Sequence, residues 1–270
     1  MPVLLRPDGA VQVGWDPRRA VLVRPPGGLS PTALAAVLRT MRVPIGIAQL
    51  HRLAGGHGLC DTAALDELLT ALVAAGVVRE QAGRARARAL SIRVHGCGPL
   101  SDLLVEALRC SGARIGHTSH ANAGPTGSGV DLVVLSDYLV ADPRLVRDLQ
   151  AAGVPHLPVR VRDGAGLVGP LVIPGVTSCL ACGDLHRTDR DAAWPAVAAQ
   201  LRDVIGSADR ATVLATAALA LGQLHRIITA VRGVEGAGAP PATLDTTLEI
   251  DVNSNRIMTR RWSRHPRCEC

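Results

Sequence analysis

Two tight pairs of thiols, Cys179-Leu180-Ala181-Cys182 and Cys268-Glu269-Cys270, lie about a third of the chain apart. A Cys-x-x-Cys loop holds two sulfurs on one side of a turn. A second pair completes the tetrahedral sulfur shell that zinc prefers, at roughly 2.3 Å per Zn–S bond. The alternative is a disulfide or redox pair. Cytosolic chains rarely keep structural disulfides, and a thioredoxin-like pair belongs at a strand-to-helix turn. With four protein ligands zinc has no open position, so it would staple the C-terminus to the middle of the chain rather than catalyse. The other cysteines, Cys60, Cys97 and Cys110, are expected as small buried apolar residues.

Composition removes several classes of chemistry. All 29 basic residues are arginine, because the chain has no lysine. That excludes P-loop phosphate transfer, Schiff-base chemistry and a lysine general base. Only Trp15, Trp194, Trp262 and Tyr138 are aromatic, too few for the stacked rings of RNA or single-strand platforms. The net charge of +6 permits an acidic partner. It gathers in Arg84, Arg86, Arg88 and Arg93 and in Arg256, Arg260, Arg261, Arg264 and Arg267, read as arginine-rich surface strands rather than a nucleic-acid face. At the N-terminus, Asp8 and Gly9 interrupt any signal-length apolar run. The most apolar stretch, Ala211–Val231, carries Gln223, His225 and Arg226 and is too polar for a membrane span. The expectation is a cytoplasmic chain without a membrane partner.

At 270 residues the chain has room for one large domain or two small ones, on a prior of roughly 100–200 residues each. Residues 1–84 read as one unit. Val3–Arg6, Val11–Trp15 and Ala20–Arg24 are short runs separated by turn chemistry at Pro7-Asp8-Gly9 and Asp16-Pro17, which predicts an antiparallel meander. Three helices follow: Thr32–Met41 capped by Ser30-Pro31, Ile45–Leu53, and Ala63–Ala75 capped by Asp61. The last has one apolar face of Leu65, Leu68, Leu69 and Leu72. Three strands and three helices suggest a winged-helix-like domain, with Glu80–Ala89 as the linker.

Residues 85–270 alternate strand and helix in the rhythm of a parallel, helix-covered sheet, an α/β fold. The predicted strands are Leu90–His95, Ala113–Ile115, Asp131–Ser136 and His156–Val161, with helices at Ser101–Cys110 and Leu145–Ala152. A hairpin through Leu167–Ile173, a long helix Asp209–Val231 and a C-terminal hairpin from Leu244–Val252 to Arg256–Trp262 complete it. The run His186, Arg187, Asp189, Arg190 and Asp191 is read as capping a helix at Trp194 and crossing a dimer surface as salt bridges, with the lining of a site as the alternative, and Trp194 and Trp262 are read as buried anchors.

Leu90–His95 runs into Gly96-Cys97-Gly98-Pro99-Leu100-Ser101, a nucleotide-binding fingerprint with Ser101 in place of its third glycine. Such a turn brings backbone N–H groups at a helix N-terminus toward a phosphate. The carboxylate that should hold a ribose after the second strand is missing, for that region reads Ile115-Gly116-His117-Thr118. A working nucleotide site and a turn kept for topology both remain open.

The Gly-x-Gly half, the stretch Val168 to Cys182, the crossover helix and the terminal cysteine pair resemble the ThiF/MoeB/HesA superfamily, the ubiquitin-activating type of Rossmann fold. The segments Cys182–Pro195 and Trp262–Cys270 resemble the branch that partners YcaO proteins in making thiazole- and oxazole-modified peptides. The resemblance covers roughly residues 90–270. It implies a zinc site at Cys179, Cys182, Cys268 and Cys270, a homodimer, and an N-terminal domain that grips a precursor leader.

Adenylating members of the superfamily use lysine and arginine on ATP phosphates and an aspartate on magnesium. Here Asp137 follows the third strand, either as that aspartate or as a strand-end turn residue. Without groups that neutralise phosphate charge, attack on ATP loses its electrostatic catalysis. The leading expectation is therefore a non-catalytic scaffold, with ATP doubtful and Gly96, Gly98, Ser101 and Asp137 a vestigial nucleotide site. A leader would add as a strand beside Ala20–Arg24, at Val21 and Val23, with its side chains against Leu65, Leu68 and Leu72. One alternative is an adenylating enzyme using Gly96, Gly98, Arg109 or Arg114, and Asp137. The other is a winged-helix DNA-binding regulator, disfavoured because the third helix carries Asp61, Asp66 and Glu67 and no base.

Overall fold

The computed structural model describes residues 1–59, 61–78, 89–119, 129–232 and 239–270. Cys60, Arg84, Arg86 and Arg88, and all but the last residue of the Glu80–Ala89 linker, lie outside the described residues. The chain divides into two compact units, Met1–Ala85 and Arg86–Cys270.

In the first unit β1 (Val3–Leu5), β2 (Val11–Val13) and β3 (Val21–Val23) form an antiparallel meander in the order β1-β2-β3. Three helices follow: α1 (Pro31–Thr40), α2 (Ile47–Gly56) and α3 (Thr62–Ala74). Ser30 Oγ accepts the Ala33 N–H at 3.1 Å, and Asp61 Oδ1 accepts the Ala63 N–H at 2.9 Å, so α1 and α3 begin at their side-chain caps. Val11, Leu34, Leu65 and Leu72 are fully buried in one core.

The second unit is a seven-stranded mixed sheet. β4 (Ser91–His95), β5 (Arg114–Thr118), β6 (Leu132–Ser136) and β7 (His156–Arg162) are parallel neighbours in the order β7-β6-β4-β5. β8 (Ala165–Val168), β9 (Thr246–Asp251) and β10 (Arg256–Arg261) extend the β7 edge antiparallel. Around the sheet stand α4 (Pro99–Leu108), α5 (Pro143–Ala151), α6 (Leu180–Arg190), α7 (Trp194–Leu201) and α8 (Arg210–Val231).

β6 is buried along its whole length because both faces are covered. Leu132 and Val134 face the core shared with α4 and α8, whereas Val133 and Leu135 join Leu149 of α5 on the other face. The helix α8 is long and apolar enough to cross a membrane, but it packs on α4, β7, β8 and β9, with Ala220 and Leu224 fully buried.

Three sequence readings need correction. Cys97 and Cys110 are exposed, not buried: Cys97 sits on the outer side of a tight turn, and Cys110 in a 3₁₀ turn that ends α4. His186 to Arg190 are not a cap for the following helix. They belong to α6 itself, and of the run only Asp191, which accepts the Ala193 N–H at 2.9 Å, lies in the connection 191–193 between the two helices. Trp194 and Trp262 are half-buried and line a cleft.

Candidate functional site

Cys179 caps the N-terminus of α6 and Cys182 lies in its first turn, with the Cys182 N–H 3.4 Å from Cys179 Sγ. The β9–β10 hairpin brings residues 262–270 back to this turn. Cys268 Sγ is 3.5 Å from Cys179 Sγ, Cys270 Sγ is 3.4 Å from Cys182 Sγ, and the Cys179–Cys182 sulfurs are 3.8 Å apart. All four sulfurs lie within 4.8 Å of one another. These separations are far longer than an S–S bond of about 2.05 Å. They fit the edge of a sulfur tetrahedron, about 3.8 Å for metal–sulfur bonds of about 2.3 Å. The four cysteines can hold one metal ion.

Burial pushes the Cys179 thiol up. At Cys182 the same penalty is outweighed by hydrogen bonds with the backbone of His265 and Cys179, which draw it down. Metal ligation would take the thiolate form of all four and release their protons.

Two aspartates that sequence reasoning missed fix the strands of chain around the cysteines. Asp245, just before β9, accepts from the Ser178 N–H at 2.7 Å and the Ser178 hydroxyl at 2.9 Å, while its carbonyl accepts the Trp262 N–H at 2.8 Å. It thereby holds both cysteine-bearing segments. Asp189 on α6 takes His265 Nε2 at 2.7 Å on one oxygen and the Arg267 guanidinium on the other. Asp189 lay in the polar run already noticed, but nothing in that run revealed its partners.

The glycine turn brings Gly96, Gly98, Ser101 and Asp137 together. Asp137 directly follows β6, buried, at φ +70°, a left-handed conformation that aspartate tolerates. Its carboxylate lies across the N-terminus of α4, accepting from the Leu100 N–H at 3.0 Å and the Ser101 N–H at 3.1 Å. The glycines make room for it. A Cβ on Gly96 would stand 2.6 Å from the Ser136 carbonyl and 2.8 Å from Asp137 Oδ2, and one on Gly98 would stand 2.7 Å from Asp137 Oδ1. Ser101 turns inward, its hydroxyl donating to the Gly98 carbonyl at 2.8 Å. An anion of the chain itself thus fills the position where a helix N-terminus would hold a phosphate.

Beside this turn, at the carboxyl ends of the parallel strands, is a cavity of about 180 Å³ lined by His95, Ser136, Tyr138, Asp142, Arg160 and Arg202. Burial, then Arg93, lowers the pKa of His95. His117 Nε2 meets the Gly96 carbonyl at 3.0 Å. A larger cleft of about 690 Å³ opens between α5, α6, α7 and the β7–β8 and β9–β10 strands, and Arg160 lines both.

In the first unit the residues expected to meet a peptide divide. Val23, Leu65 and Leu72 are buried in the core, while Val21 and Leu68 are half-buried at its margin. β3 is an edge strand whose middle residue, Leu22, is exposed.

No family model matches the sequence, and a search of curated proteins finds no match. Solved structures do match. A heterocyclase in complex with substrate and cofactor aligns with all of this chain and 39% of its own at 17% identity and a TM-score of 0.61. The heterocyclase TruD aligns with 99% of this chain and 41% of its own at 17% identity and a TM-score of 0.64. E. coli MccB with ATP aligns with 99% of this chain and 96% of its own at 12% identity and a TM-score of 0.55. The chain spans about two-fifths of the length of the heterocyclases it matches. The protein has the fold shared by these heterocyclases and MccB.

Proposed function

We propose that the protein is a non-catalytic scaffold, cytoplasmic and homodimeric, that binds the leader of a ribosomal precursor peptide. It would present that peptide to a YcaO-type cyclodehydratase in thiazole/oxazole-modified peptide biosynthesis. The likeness in fold to a heterocyclase with substrate and cofactor supports the setting. The observation that carries the scaffold reading is the Asp137 carboxylate on the α4 N-terminus, because a nucleotide phosphate bound there would meet a fixed negative charge.

The first unit serves as the winged-helix-like leader domain in this reading. A leader adds antiparallel or parallel to the edge of β3 that no other described strand pairs, making main-chain hydrogen bonds beside Val21 and Val23, with Leu22 offering an apolar contact. Leu68, half-buried at the margin, would meet the ligand, and Leu65 and Leu72 support it from the core. The four cysteines hold a structural zinc with no open position.

The reading is tested by fluorescence anisotropy of a labelled precursor leader. Val21→Pro abolishes binding and leaves zinc content unchanged, and Leu22→Asp, at an exposed position, weakens binding without unfolding. Leader binding unchanged by both would overturn the β3 placement.

The second reading, an adenylating enzyme, is favoured by one observation: the 180 Å³ cavity at the strand ends, with Arg160 and Arg202, lies where open α/β sheets bind ligands, in a fold shared with an ATP-bound MccB. Calorimetric titration with Mg-ATP separates the two. No saturable heat accords with the scaffold, and one-site binding favours the enzyme.

A further inference from the structure

The cleft of the second unit is lined by six arginines against three aspartates. At its centre Arg187 of α6 is held between two indoles, its guanidinium carbon 5.0 Å from the Trp194 ring and 5.0 Å from the Trp262 ring. Asp184 fixes this stack from one side. Its Oδ1 accepts from Arg187 Nη1 at 2.8 Å and from the Trp194 indole N–H at 3.1 Å. Trp262 is anchored in turn by its N–H to Thr247 Oγ1 at 2.9 Å. The two rings and the guanidinium between them are therefore set before any ligand arrives.

Arg160 of β7 differs from the other basic residues. It is half-buried where the small cavity and the cleft meet, and its guanidinium has no hydrogen-bond or ion-pair partner among the described residues. Burial and the neighbouring Arg187 and Arg162 lower its pKa to about 10, so it stays charged at neutral pH in a poorly solvated place. Among the described residues the Arg162 side chain has a single ion pair, to Glu249 at 3.5 Å. A guanidinium carries five N–H donors in a planar fork. Buried cations are costly unless paired, and here both Arg160 and Arg187 line the cleft, Arg160 with no side-chain partner among the described residues and Arg187 paired with Asp184.

We propose that this cleft is a binding site for a carboxylate-bearing peptide segment, with Arg160 and Arg187 as the carboxylate clamp and Trp194 and Trp262 as the walls for its apolar side chains. The volume of about 690 Å³ falls in the range of ligand pockets, roughly 300–1,000 Å³. Arginine forks match carboxylates two bonds at a time. A peptide suits the site better than a free phosphate because the lining mixes the forks with indole, leucine, valine and proline surfaces. That the natural occupant is a stretch of precursor peptide rests on the scaffold reading, but the clamp chemistry does not.

The test uses the full chain, zinc-loaded, with Trp15→Phe removing the tryptophan of the first unit so that emission reports Trp194 and Trp262. A short peptide alternating glutamate and valine should quench this emission saturably, with weaker binding as salt rises, while its glutamine counterpart should not. Arg160→Gln should weaken the glutamate peptide about ten-fold or more. Arg190→Gln, exposed at the rim, should weaken it less, and serves if Arg160→Gln alters the circular dichroism or zinc content. Equal quenching by the glutamine peptide, or no loss in either variant, overturns the proposal. Pyrophosphate binding more tightly than the glutamate peptide, with the same dependence on Arg160, also overturns it in favour of a phosphate site. Failure of the leader reading is seen separately: Val21→Pro should leave the cleft's quenching intact, so loss of leader binding and loss of the clamp are distinct results.

Discussion

The carboxylate of Asp137 accepts the backbone N–H of Ser101 at 3.1 Å and so closes the N-terminus of α4 from within the chain. Its second oxygen does the same for Leu100 at 3.0 Å. Removing the carboxylate leaves two buried donors unpaired and the positive end of the helix uncompensated. At about 1–3 kcal/mol for each buried unsatisfied donor and about 0.3–1 kcal/mol for the helix end, Asp137→Ala should cost roughly 2–7 kcal/mol of stability. Urea unfolding measures this. A magnesium-binding aspartate would behave differently, since its removal would spare stability and abolish Mg-ATP binding.

Gly98→Ala addresses the same contact from the other side. The new methyl would stand 2.7 Å from Asp137 Oδ1 and 2.9 Å from its Cγ, so carboxylate and turn must separate. The expected cost is about 1–3 kcal/mol, as for other overpacked sites. A substitution without effect on the unfolding midpoint would mean the turn has slack that the structure does not contain.

Much of this fold is legible in the sequence because local chemistry and burial agree. Ser30 and Asp61 announce helices that begin beside them, and Asp131–Ser136 reads as a strand covered on both faces because no polar residue interrupts Leu132 to Leu135. The cysteine pairs are legible too, since their spacing alone suggests a shared shell. What remained hidden depended on long-range partners. A glycine turn looks the same whether it accommodates a phosphate or Asp137, thirty-nine residues after Gly98 by direct count. Arg160 sits in a run, Val159–Arg162, that reads only as strand, and its lack of a partner appears once α6 and the hairpin surround it. The helix α6 escaped notice because its polar face, His186 to Arg190, resembles a cap rather than an amphipathic surface.

The cysteine cluster makes a prediction about the last residues. Cys270→Ser, or strong chelation of the wild type, should release the metal and free the segment after β10 while the sheet core of Ile92, Leu132 and Leu157 stays folded. Trypsin reports this, because Arg264 and Arg267 lie in that segment. Cleavage there should be slow in the metal-loaded protein and fast without it. Asp189→Asn should give an intermediate rate with metal retained, since it loosens His265 and Arg267 but no sulfur.

Acid should weaken the cap of the long helix. Asp209 accepts from the Thr212 N–H at 2.8 Å and the Thr212 hydroxyl at 3.0 Å, and these bonds hold its carboxyl below the ordinary value of 3.8. The folded value is depressed, so the stability it contributes is fully present above the unfolded value and is lost as pH falls through the folded one. The window therefore lies below about pH 4. Asp209→Asn keeps an oxygen to cap the helix but cannot titrate. Its unfolding midpoint should fall below that of the wild type at neutral pH, where the charge is lost from the helix N-terminus. The difference should narrow as pH drops through the window, because the wild-type carboxyl becomes neutral as well. Parallel thermal melts from pH 7 to pH 2.5 read both limbs, and two curves with a constant offset would mean that this carboxylate does not govern the acid response of α8.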